Sequence, residues 1–103
     1  MKSEESIDYS INHLIGTMLA SLPMAKTAKT FLTQLYHRPS SACISVNNYM
    51  VLRFIDGEKR AVVEIDHDGD VILYLTEPTG KTIQHYTDTT KLAQDVMAYM
   101  EKL

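Results

Sequence analysis

The chain reads as an α+β domain: two N-terminal helices, a four- to five-stranded antiparallel meander, and one C-terminal helix packed on the sheet. Three observations predict it. From Ala42 to Thr87, short β-branched and apolar runs alternate with tight-turn residues, and the clearest two runs flank Asp68-Gly69, a strong hairpin signal. Before and after that stretch, apolar residues recur at helical spacing. The length, 103 residues, is that of one domain.

The first helix is expected over residues 3–22. Ile7, Ile11, Leu14, Ile15, Met18, Leu19 and Leu22 make one apolar stripe. Ser3 suits the cap, and Glu4, Glu5 and Asp8 sit where the helix dipole favours anions. Pro23 ends this helix and opens a second, where a missing N–H costs nothing. Met24, Ala28, Phe31, Leu32 and Leu35 mark its stripe, and His37-Arg38-Pro39 closes it.

Strands are expected at residues 42–46, 49–55, 58–66, 71–76 and 81–87. Asn47-Asn48, Asp56-Gly57, Asp68-Gly69 and Glu77-Pro78-Thr79-Gly80 supply the turns. A single long strand bulged at Asn47-Asn48 is the alternative for the first two. Residues 71–76 are the most apolar and expected centrally; the polar run 81–87 suits an edge. Asp88 or Thr89 caps a last helix over residues 90–103, with Leu92, Val96, Tyr99, Met100 and Leu103 as its stripe.

Composition narrows the chemistry. A net charge of −3 argues against sequence-independent nucleic-acid binding, which rests on phosphate neutralisation. The one cysteine, Cys43, cannot form an internal disulfide or a Cys-based zinc site, and it fits a reducing compartment. The N-terminal residues lack the basic-then-apolar pattern of a signal peptide, and no apolar run approaches a membrane span. The expectation is a cytoplasmic protein with no membrane partner.

Asp66, Asp68, Asp70 and Glu77 stand at positions 1, 3, 5 and 12 of a pattern that resembles the EF-hand calcium loop. That resemblance implies oxygen ligation of a cation. The chain departs from it: Val71 replaces the sixth-position Gly, and Pro78 blocks an exit helix. In an extended strand Glu77 would lie ~20 Å from Asp70, at about 3.3 Å per residue. The competing reading gives these aspartates to turn amides. Among the histidines, His13, His37, His67 and His85, no pair has helical zinc spacing. His67 beside three carboxylates is one metal candidate; Cys43 with His85 or His37 as base is a catalytic one. Each has a plainer reading, as a surface histidine and a structural thiol. Gly16, Gly57, Gly69 and Gly80 are isolated, so no phosphate loop forms. Lys26, Lys29 and Arg38 make only a weak basic side to the second helix.

Both sheet faces carry apolar residues. Met50, Leu52 and Phe54 oppose Val51, Arg53 and Ile55; Val71, Leu73 and Leu75 oppose Ile72 and Tyr74. A sheet wetted on one side should alternate cleanly. The expectation is therefore a small acidic, non-catalytic interaction module that binds a protein partner, or itself as a homodimer, through a sheet face or edge. The expected surface is Val51, Arg53, Ile55, Glu64, Ile72 and Tyr74 with the acidic turn Asp66, Asp68 and Asp70. No cofactor is expected. Small acidic α+β modules of this look occur among immunity proteins, secretion chaperones, antitoxins and inhibitors, a likeness of class that carries no residues over. The alternative is a metal-dependent enzyme or metal-binding domain using residues 66–70.

Overall fold

A computed structural model describes residues 12–13, 21–77 and 80–101. The order is helix α1 (Leu22–Leu32), strands β1 (Ser41–Ile44), β2 (Met50–Asp56), β3 (Lys59–Ile65), β4 (Val71–Glu77) and β5 (Gly80–Tyr86), then helix α2 (Thr89–Met100). The strands form one antiparallel sheet in sequence order, β1-β2-β3-β4-β5. This is the α+β meander expected, with one N-terminal helix described rather than two. The segment expected as the first helix lies outside the described residues, apart from Asn12 and His13, which are helical. Leu22, assigned to that first stripe, instead starts α1 and is 86% exposed.

Helix α1 begins where Ser21 adopts an extended backbone and its Oγ accepts a hydrogen bond from Met24 N at 3.3 Å. It ends at Leu32, earlier than its stripe suggested. Tighter bonds from Gln34 N to Phe31 O and from Leu35 N to Leu32 O follow, and they still deliver Leu35 to the core. Asp88 caps α2 by accepting from Thr90 N at 2.9 Å. The far end of α2 has no basic residue of its own, and Lys59 Nζ, from β3, donates to Met100 O at 2.9 Å.

Period-two alternation sends Met50, Leu52, Phe54, Ala61, Val63, Ile65, Val71 and Leu73 to one face, where they meet Met24, Ala28, Phe31, Leu92, Val96 and Tyr99. Phe31 and Phe54 pack edge to face, their centroids 6.1 Å apart. Both described helices therefore lie on the same side of the sheet.

One placement differs from expectation. The most apolar strand, β4, is next to an edge, and β3 is central. β4 is apolar because it is flanked on both sides and covered by helices on one, not because it is the middle strand. The β1–β2 stretch is the hairpin expected and not the alternative of one bulged strand; its turn is possible because Asn48 takes φ +63°.

Candidate interaction surface

The cross-strand registers define three rows on the face away from α1 and α2. They are Cys43–Val51–Glu64–Ile72–His85, Ser41–Arg53–Val62–Tyr74–Ile83, and Ile55–Arg60–Thr76–Lys81. Ile55 and Ile83 are 43% and 57% exposed, and Val62, Ile72 and Tyr74 are half-buried between them. Arg60 and Lys81 make one end of this face basic, with Arg53 in the middle row; Glu64 and the 66–70 turn make the other end acidic.

Six of the nine expected surface residues thus share one face. Val51 is buried, 3% exposed, and offers a partner no surface of its own. The Tyr74 hydroxyl donates to Glu64 Oε1 at 3.1 Å. Partial burial first, then the bond to Glu64 and its negative charge, hold the Tyr74 pKa above the ordinary tyrosine value. Sequence reading missed Val62 and Ile83. The signal for Ile83 was there: the tight Glu77–Gly80 turn sets the register that places it opposite Tyr74.

Asp66, Asp68 and Asp70 sit in a turn that is docked, not projecting. Ser21 Oγ donates to His67 O at 2.6 Å, and Thr27 Oγ1 donates to Gly69 O at 3.0 Å, so the turn lies against the N-terminus of α1. Gly69, at φ +90°, lets it come so close; a Cβ there would be 2.8 Å from Thr27 Oγ1 and 3.0 Å from Pro23 O. Asp66 Oδ1 accepts from the N–H groups of Asp68 and Asp70, both at 2.9 Å. The lead ligand of the EF-hand-like pattern is occupied within its own turn. Among the described residues, no three His, Cys, Asp or Glu side chains converge as a metal site would require.

Cys43 and His85 occupy opposite edges of the sheet, four strand spacings or about 19 Å apart. Cys43 Sγ accepts from Arg53 Nη1 at 3.6 Å, and His37 Nε2 lies 3.8 Å from Glu101 Oε1. The structure does not bring Cys43 and His85 together as nucleophile and base. Lys26 and Lys29 are exposed on α1, whereas Arg38 Nη1 donates to Leu32 O and closes that helix. No described helix is long and apolar enough to cross a membrane. Comparison with protein families, with curated proteins and with solved structures finds no match to this chain.

Proposed function

We propose that the protein is a non-catalytic interaction module that binds a protein partner, or a second copy of itself, through the sheet surface its described helices leave uncovered. One observation carries this reading. Ile55, Val62, Ile72, Tyr74 and Ile83 form an apolar band on the face that α1 and α2 leave uncovered, with Arg60 and Lys81 at one end, Glu64 at the other and Arg53 beside Val62. An apolar centre with charged margins is the composition of a recognition surface. The internal use of Asp66 and the separation of Cys43 from His85 support the non-catalytic part.

The test compares the full chain with Ile55→Lys/Ile72→Lys. Both positions are on the outer face, so circular dichroism should be unchanged. Self-association is measured by sedimentation, and capture of protein partners by cross-linking from cell extract. Binding that disappears in the double variant supports the reading. Binding equal in both, or a wild-type chain that binds neither itself nor any protein, retires it.

A further inference from the structure

The two edges of the sheet are unequal. β1 has four residues, and Ser40 extends its pairing with β2: its N–H donates to Arg53 O at 2.6 Å and its Oγ accepts from Ile55 N at 3.1 Å. β5 has seven residues, pairs among the described strands with β4 alone, and contains no proline to protect it. Lys81, Ile83, Gln84 and His85 are all exposed.

The direction of the β5 backbone groups follows from Tyr99. Its hydroxyl accepts from Arg60 N at 2.9 Å and donates to Thr76 O, so the Thr76 carbonyl is turned toward β3. In an antiparallel strand a residue's N–H and C=O point to the same neighbour, and successive residues alternate. Thr76 therefore does not bond to β5, and its cross-strand partner Lys81 turns its backbone groups away from β4. By the same alternation, Ile83 and His85 also turn an N–H and a C=O away from β4.

The geometry points to β5 as the interface of a symmetric homodimer, in which β5 of a second copy pairs antiparallel across a two-fold axis at Ile83. This inference rests on the interaction-module reading and names its occupant. With Ile83 on the axis, Ile83 meets its twin and Lys81 lies opposite His85 of the second copy. All three outward-facing residues are then paired, each pair exchanging two N–H···O=C bonds. The exposed Ile83 side chains come together at the centre, and no lysine faces another lysine. Two sheets become one continuous sheet, with the outer faces on the same side. An interface confined to one strand edge is small, so the dissociation constant is expected on the order of 10 µM.

The experiment is sedimentation equilibrium of the full chain over a concentration series, together with amide hydrogen exchange. Wild type should dimerise. In the dimer the amides of Lys81, Ile83 and His85 should gain protection, whereas those of Thr82 and Gln84, already bonded to β4, should barely change. Ile83→Pro removes an outward N–H without touching the β4 ladder and should raise the dissociation constant at least tenfold. Ile83→Lys, which sets two ammonium groups across the axis, is the second variant should proline disturb folding. A wild-type chain that stays monomeric at millimolar concentration overturns the inference, as does a dimer indifferent to Ile83→Lys. A dimer lost in Ile72→Lys but kept in Ile83→Lys would move the contact to the sheet face, overturning the edge pairing and leaving the broader reading intact.

Discussion

The two faces of this sheet come from the same strands and nearly the same residue types, yet they behave as different materials. On the helix side, Met50, Leu52, Phe54, Ala61, Val63, Ile65, Val71 and Leu73 are sealed against α1 and α2. One residue away along each strand, Ile55, Ile72, Tyr74 and Ile83 share the outer face with Arg53, Arg60, Glu64 and Lys81. Apolar content alone does not make a core. Among the described residues, what separates the faces is that α1 and α2 bring their apolar stripes to one of them.

The largest consequence is expected on the sealed face. Phe54→Ala removes a ring that is 1% exposed and packed edge to face on Phe31, and should destabilise the protein by about 3–5 kcal/mol in urea unfolding. The docked turn comes next. Gly69→Ala combines a positive φ with a Cβ 2.8 Å from Thr27 Oγ1, and should cost about 2–3 kcal/mol. Gly57→Ala, at φ +62° with nothing within 4 Å, should cost only about 1 kcal/mol. Equal losses at the two glycines would show that the turn is not held against α1.

Tyr86 and Asp95 supply a pH test. The Tyr86 hydroxyl donates to Asp95 Oδ2, and Lys91 Nζ lies 3.0 Å from Oδ1. Burial, then the bond to Asp95 and its charge, raise the Tyr86 pKa; the bond from Tyr86, then Lys91, lower that of Asp95 against the opposing effect of burial. A lowered carboxyl stabilises above its unfolded value of 3.8 and loses this contribution as pH falls through the folded value. A raised phenol stabilises below 10.0 and loses it as pH climbs beyond. Tyr86→Phe should therefore cost about 1 kcal/mol across neutral pH. Its difference from wild type should shrink at both extremes of a urea-unfolding series. The smallest effect belongs to the outer face: Ile55→Lys should change stability by less than about 0.5 kcal/mol. A larger loss there would mean the outer face is sealed too.

Legible in the residue order were the strands, their turns, the parity of each face and the stripes of α1 and α2. These signals are local, because side-chain periods of 2 and 3.6 follow from backbone geometry within a few residues. The candidate surface was legible to the same extent. Six of its residues alternate visibly with the core, whereas Val51 gives no local sign that it is buried. Other features needed distant parts of the chain to meet. The 66–70 turn looks like an exposed acidic tip until Thr27 and Ser21 are found holding it. Tyr99 reads as one more apolar stripe residue, but its hydroxyl joins β3 to β4. Which face receives the helices, and which strand is left as the long open edge, depend on how the connections carry the chain across the sheet. No period in the sequence encodes that, because it is set by packing between residues tens of positions apart.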